Sequence, residues 1–296
     1  MDIESRDAMK TLVCPAPAKL NLFLHVVGRR ADGYHLLQTL FRMIDYGDTL
    51  HLDLREDGRI VGQQPLAGVA EADDLCIRAA QLLKAATGSA LGVDIRLEKR
   101  LPMGGGLGGG SSDAASVLLG LNRLWELGLS RSRLQELAIK LGADVPFFVF
   151  GQTALAEGVG DILHAVTLAP VWYVVLIPAV SVSTQAVFVH QDLTRDSEII
   201  KIADFSEARI SGMRNDLQAV VCRNYPDVAR HLDWLGQHGD ARMSGSGACV
   251  FAGFATADAA QGVLAKMPED MRGFVAAGLD KHPLYDCADG NEVGQR

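Results

Sequence analysis

Pro102-Met103-Gly104-Gly105-Gly106-Leu107-Gly108-Gly109-Gly110-Ser111-Ser112-Asp113 is the stretch that decides how this chain is read. Before it, Val93, Ile95 and Leu97 fall on alternate positions, the period of a half-buried strand. After it, Ala114, Leu118, Leu121 and Trp125 recur at spacings of four, three and four, the stripe of a helix packed on a core. The glycine run itself can hold no regular element, and Ser111-Ser112-Asp113 offers N-caps to the helix. Glycines let backbone N–H groups turn toward one point and let a phosphate approach without a Cβ in the way. The helix N-terminus adds about half a positive charge, and the two serines can donate to phosphate oxygens or touch a bound metal.

Competing readings of the run fail on context. A flexible linker would rarely join a strand to a strongly amphipathic helix. Gly104, Gly106 and Gly109 satisfy the dinucleotide fingerprint, but that fingerprint needs a following strand ending in an acid about 20 residues on, and here a second helix follows the first. No Lys follows the glycines as in a Walker loop, and the protein-kinase catalytic loop is absent. A phosphate cradle of another kind is left.

Outward from the loop, alternation predicts strands over 19–27, 36–44 and 49–54, with a turn at Asp32-Gly33, and an Ala/Leu-rich pattern predicts a helix over 73–86. A second helix is expected over 132–141 with Gly142 as its stop, which leaves Asp144 just beyond a helix end. A composition shift over 151–160 suggests a boundary. Beyond it come strands over 171–177 and 248–254, helices near 184–190, 215–223 and 226–235, and a helix from Thr256. The polar, patternless stretch 282–296 is expected to fray. Strands are not strictly alternated with helices, so the class is α+β rather than a doubly wound sheet.

With 296 residues, 48% of them hydrophobic, two domains are the default. The net charge of −8 and the lack of any long Lys/Arg run argue against a nucleic-acid partner, though a few amides and one or two cations can still define an anion site. Five scattered cysteines lack metal or redox spacing and read as reduced core filler. The N-terminus mixes acids and bases, and the longest apolar run, ten residues from Val171, is too short to span a bilayer. A soluble, cytoplasmic protein without a membrane partner is expected.

Four segments carry polar residues that are ambiguous singly. Lys19 and Asn21, in Pro17-Ala18-Lys19-Leu20-Asn21-Leu22, share the strand face opposite Leu20 and Leu22, as two solvated residues would. Asp144, in Gly142-Ala143-Asp144-Val145-Pro146-Phe147-Phe148, sits in apolar sequence where an unpaired carboxylate is costly to bury; alone it reads as a cap or turn residue. Ser244-Gly245-Ser246-Gly247 alone is a turn.

Together and in this order, these segments and the glycine loop resemble the GHMP kinases over about residues 13 to 280. Within that family Arg30-Ala31-Asp32-Gly33-Tyr34-His35, Leu37-Gln38-Thr39-Leu40-Phe41 and the run from Leu101 to Ser112 are most similar to the members whose acceptor is a cytidine diphosphate-linked methylerythritol. The resemblance implies an N-terminal αβ nucleotide-binding domain (1–160), a C-terminal ferredoxin-like αβ domain (161–285), a disordered tail (286–296) and an active site in the cleft between the domains. It implies transfer of the ATP γ-phosphate to the acceptor's 2-hydroxyl in the non-mevalonate isoprenoid route, with Mg²⁺ on the β and γ oxygens, by a monomer or weak homodimer. Lys19 and Asp144 match the catalytic pair, and Pro102, Met103 and Gly104 through Ser112 the triphosphate loop. Lys99 would lie near the adenosine. Asn21, Tyr34, His35, Phe188 and Gly245 match the acceptor site, with Tyr34 and Phe188 sandwiching the base and His35 reading its edge; Phe188 would otherwise be a core residue of its helix.

One departure stands out: Asp73-Asp74-Leu75 puts an acid where the family usually carries an Asn near the adenine. No acidic pair dedicated to the metal is visible. Alternatives are a homoserine or mevalonate type of kinase, which would lack the Asp32-Gly33-Tyr34-His35 segment, and a silent nucleotide-binding module, which loss of Lys19 or Asp144 would signal.

Overall fold

The computed structural model describes residues 10–31, 33–66, 68–201, 210 and 212–288. Asp32 of the expected turn, the mixed-charge N-terminus up to residue 9, and 289–296 of the expected tail lie outside the described residues.

The alternating N-terminal segments form one long antiparallel pair, β1 (Thr11–Arg29) and β2 (His35–Arg55). The strands expected over 36–44 and 49–54 are thus a single strand. Gly47 explains the continuity: a Cβ there would overlap the Ala16 carbonyl, and the β1–β2 register shifts between Pro17 and Ala18, so the apparent break is a bulge carried by glycine. β3 (Ile60–Gly62), α1 (Leu75–Thr87) and β4 (Gly92–Glu98) follow, and β4 pairs with β2. Next come α2 (Gly109–Leu124), α3 (Arg131–Ala138), α4 (Val145–Phe150), β5 (Ala154–Glu157) and β6 (Ile162–Ala165). β5 pairs back onto β2 and β6 onto β5, so the segment of shifted composition still belongs to the first sheet. Leu118, Leu121 and Trp125 of α2 lie in one apolar core with Leu50 and Leu52 of β2 and Phe147 of α4.

The second half contains β7 (Trp172–Leu176), α5 (Thr184–Val189), α6 (Gln218–Asn224), α7 (Pro226–Gly236), β8 (Arg242–Met243), β9 (Val250–Phe254), α8 (Ala257–Leu264) and β10 (Gly273–Leu279). Its strands lie in the order β10-β7-β9-β8, all antiparallel, which is the ferredoxin-like βαββαβ arrangement. β10 also touches β2 at Ile44 and Met43, joining the two sheets. Leu20 and Leu22 of β1 face this second unit, packed with Val175, Phe251 and Phe274. Among the described residues no helix is long and apolar enough to cross a membrane.

The expectation of a frayed end from residue 282 is wrong for 282–288. His282, Leu284, Cys287 and Ala288 are buried, and Tyr285–Cys287 forms a 3₁₀ turn against the first domain. The segment's polarity is absorbed by distant partners: Asn122 donates to the Cys287 carbonyl (2.8 Å) and Arg131 to that of Tyr285 (2.6 Å).

Candidate active site

Four helices of this chain start on a side-chain cap, and the helix after the glycine loop does not. Asp74, Ser130, Ser183 and Thr256 cap α1, α3, α5 and α8 with their side chains. At α2 the cap position is Gly108, in the left-handed region (φ +72°), with no side-chain bond. Ser111, Ser112 and Asp113 are therefore not caps but lie inside the helix, and Ser112 donates instead to the Pro17 carbonyl (2.7 Å), tying α2 to β1. The first N–H groups of α2 are left without a side-chain acceptor, as an anion site requires. Asp74's acid, the departure noted in the sequence, has a structural use: its carboxylate accepts from Cys76 N–H (2.8 Å).

Two cavities of about 340 Å³ meet at the loop and share Gly104, Gly106, Gly108 and Ser111. One is walled by Leu66, Val69, Asp74, Leu75, Met103 and Lys99. The other is walled by Lys19, Asn21, Leu37, Thr39, Asp144, Phe188 and Gly245. A group bound along the loop thus has access to both.

β1 fixes the second cavity's polar groups. Lys19 N–H donates to the Leu107 carbonyl (2.9 Å), so the strand edge holds the loop directly. The Lys19 ammonium, 4% exposed, donates to Asn21 Oδ1 (2.5 Å) and stands 3.5 Å from Asp144 Oδ2. Asn21 in turn donates to Thr39 Oγ1 (2.9 Å), which donates to the Phe23 carbonyl (2.5 Å); every orientation in this chain is thereby determined. Asp144 does occupy the N-cap position of α4, but its side chain, 34% exposed, makes no cap bond and faces Lys19.

A latch from the second domain closes over the loop. The Ser244 hydroxyl donates to the Gly106 carbonyl (2.9 Å) and accepts from Asn21 N–H (3.2 Å), and Cys249 N–H donates to the Gly105 carbonyl (3.1 Å). Asn215 holds the latch by donating to the Met243 and Gly245 carbonyls (2.8 and 2.7 Å). Asn215 is not a candidate by sequence, because nothing local marks it, and within the Ser244–Gly247 segment the sequence does not single out Ser244.

Lys99 and His35 are each engaged by neighbouring protein groups. Lys99 borders the first cavity, but its ammonium is committed to Asp48 (2.5 Å) and Asp113 (2.8 Å), and Asp48 also accepts from the N–H groups of Arg100 and Leu101. It is an anchor of the strand that leads into the loop. Tyr34 is 64% exposed, and His35 packs on Phe188, with ring centroids 5.0 Å apart at 31°.

Two buried groups give opposite pH dependences. Burial, partly offset by Lys99, raises the Asp113 carboxyl from its ordinary 3.8 to about 7. Burial, with Arg131 beside it, lowers His282 from 6.5 to about 3. Folded Asp113 keeps a proton that the unfolded chain releases, so its contribution falls as pH rises from about 4 to about 7. Folded His282 refuses a proton that the unfolded chain takes up, so its contribution is lost as pH falls from 6.5 toward about 3. Between about pH 4 and 6.5 the slopes, each up to about 1.4 kcal/mol per unit, oppose one another. Asp113→Asn is therefore expected to lose unfolding free energy steadily on acidification through this window, where the parent is flatter. Denaturant titrations across pH that give parallel curves would refute it.

The GHMP kinases N terminal domain family matches residues 74–152, and the GHMP kinases C terminal family matches residues 196–273. A 4-diphosphocytidyl-2-C-methyl-D-erythritol kinase of Thiobacillus denitrificans is 65% identical over 92% of this chain and 97% of its own length. One of Nitrosospira multiformis is 58% identical over 96% of each. Among solved structures, a 4-(cytidine 5'-diphospho)-2C-methyl-D-erythritol kinase superposes with a TM-score of 0.79 at 36% identity, covering 90% of this chain and 99% of that one. Homoserine kinase from Cytophaga hutchinsonii superposes at 0.67 and 17% identity, over 95% and 98%, a likeness of fold alone.

Proposed function

The chain belongs to the GHMP kinases, and from that premise we propose that it transfers the γ-phosphoryl group of ATP to the 2-hydroxyl of 4-diphosphocytidyl-2-C-methyl-D-erythritol, a step of the non-mevalonate isoprenoid route. The observation that carries the reading is the shared wall: one glycine loop borders two cavities, and the Lys19–Asp144 pair stands in only one of them. ATP enters from the side of Lys99 and Met103, its phosphates run along the loop under the uncapped start of α2, and the acceptor hydroxyl meets them beside Asp144. Homoserine and mevalonate types share the fold at 15–17% identity, far below the 54–65% of the relatives named for the cytidine-linked acceptor.

Phosphoryl transfer needs positioning and charge neutralisation more than covalent help, because its transition state is loose. Asp144 orients the acceptor hydroxyl and takes its proton late, since an alcohol is far less acidic than a carboxylic acid. Lys19, held by Asn21 and 3.5 Å from the Asp144 carboxylate, neutralises charge on the transferring group. Among the described residues no group of three or more His, Cys, Asp or Glu could hold a metal ion. The oxygen-only donors at the junction, Ser111 and Asp144, fit a Mg²⁺ held mainly by phosphate, which would neutralise β and γ oxygens. ATP and a diphosphate acceptor are multiply charged and stay where the cell makes them, so the reaction is cytoplasmic; we take the enzyme as a monomer or weak homodimer.

ADP formation with the cytidine-linked acceptor, homoserine and mevalonate offered separately tests the assignment. Turnover is expected with the first alone. Its uridine analogue should be poorer by about ten- to a hundredfold in kcat/KM, because one reversed donor leaves buried groups unpaired. Equal use of both bases would refute recognition of cytosine, and turnover only with homoserine or mevalonate would refute the acceptor altogether.

A further inference from the structure

Arg195, in the segment after α5, makes four hydrogen bonds to groups around Phe188, which lines the acceptor cavity. Its Nε donates to His35 Nε2 at 3.2 Å and Nη1 to the Leu193 carbonyl at 3.1 Å. Nη2 donates to the carbonyls of Phe188 (3.0 Å) and His190 (2.7 Å). A guanidinium nitrogen has hydrogens and no lone pair to offer, so the His35 nitrogen facing it must be the acceptor. His35 is therefore the neutral tautomer with its hydrogen on Nδ1. Charge acts in the same direction: burial, Arg195 and Arg29 of the paired strand β1 all lower the affinity of this imidazole for a second proton. Phe188, packed on the ring from α5, brings no charge.

The ring's position gives the tautomer a use. His35 opens β2, and residues 35, 37 and 39 share one strand face. Leu37 and Thr39 of that face line the acceptor cavity, as does Phe188 against which His35 stacks. We propose that Arg195 is a positioning residue for base recognition: it holds His35 as the Nδ1–H tautomer against Phe188, so that the cavity rim offers a donor rather than a lone pair. Cytosine presents acceptors at N3 and O2, whereas uracil carries a hydrogen at N3. A fixed donor at this rim therefore favours cytosine, and an imidazole free to change tautomer would not discriminate. The inference rests on the acceptor proposed above and extends it to the residue that enforces the choice.

Long-range ¹⁵N–¹H spectra of the full chain, without substrate, read the His35 tautomer directly. The parent is expected to show Nδ1–H, and Arg195→Met a mixture or the Nε2–H form. In the same variant the acceptor KM should rise about ten- to thirtyfold with kcat and the ATP KM within about twofold, and the preference for cytidine over uridine acceptor should shrink. Arg195→Gln, which retains one donor amide, serves if the Met variant does not fold, and should move all three readouts in the same direction. A parent His35 protonated on Nε2, or a folded variant with unchanged tautomer and acceptor KM, would overturn the proposal. An Nδ1–H His35 in a chain inactive on the cytidine acceptor would overturn the acceptor reading alone and leave the tautomer assignment supported.

Discussion

Asp144→Asn is expected to lower turnover by about two to four orders of magnitude while folding and ATP affinity hold. The amide matches the carboxylate in size and cannot take the acceptor's proton. Because Asp144 makes no cap bond to α4, its side chain is not needed for the helix, and Lys19 keeps Asn21 as a partner when the charge is removed. kcat, the dissociation constant for ATP and the melting temperature, measured on one preparation, separate the effects; near-normal kcat in a folded variant removes Asp144 from the mechanism. Lys19→Ala should be comparably severe. If the pair acts as a unit, the double variant is little worse than the poorer single one, and multiplicative losses would mean independent roles.

Gly106→Ala should separate the loop from its latch and reduce kcat/KM for both substrates by at least about a hundredfold, through misplacement of the phosphate cradle. Gly106 has φ +76°, and a Cβ there would overlap the Ser244 carbonyl oxygen and approach that of Gly247 to 3.0 Å, so backbone has to move. Gly88→Ala is the control: φ is +70° but nothing lies within 4 Å, so it bears only the conformational cost of roughly 1 kcal/mol. A Gly106→Ala protein that matches the control in stability and retains activity would refute the latch. Gly108 is a poorer probe than its place in the loop suggests. A Cβ there would press on Phe148 and on Lys19 Cγ (3.0 and 3.1 Å), so Gly108→Val would disturb Lys19 as well as any phosphate.

What was legible in the sequence was set locally. Period-two and period-3.6 patterns located β1, β4, α2 and, in the second half, β7, β9 and the helices but neither β8 nor β10, and the order of Lys19, the glycine loop, Asp144 and Gly245 carried the resemblance to the GHMP kinases, because each signal lies within a few neighbouring residues. The errors arose where local chemistry was overridden. Ser111 and Ser112 look like caps, yet the cap is a left-handed glycine three residues before Ser111, and 282–288 looks like a tail, yet its polar backbone is met by Asn122 and Arg131.

Only the tertiary structure decided what holds the site in place. Lys99 meets Asp48 across 51 residues, His35 meets Arg195 across 160, and Asn21 meets Ser244 across 223. A hydrogen bond acts over about 3 Å whatever the chain separation. Burial then makes each of these partners necessary, since a polar group withdrawn from water costs free energy until it is paired. The sequence by itself therefore determined which residues could do chemistry and on which elements they stand. The fold decided their partners, their tautomers and their protonation, because those depend on which distant groups share a water-free space.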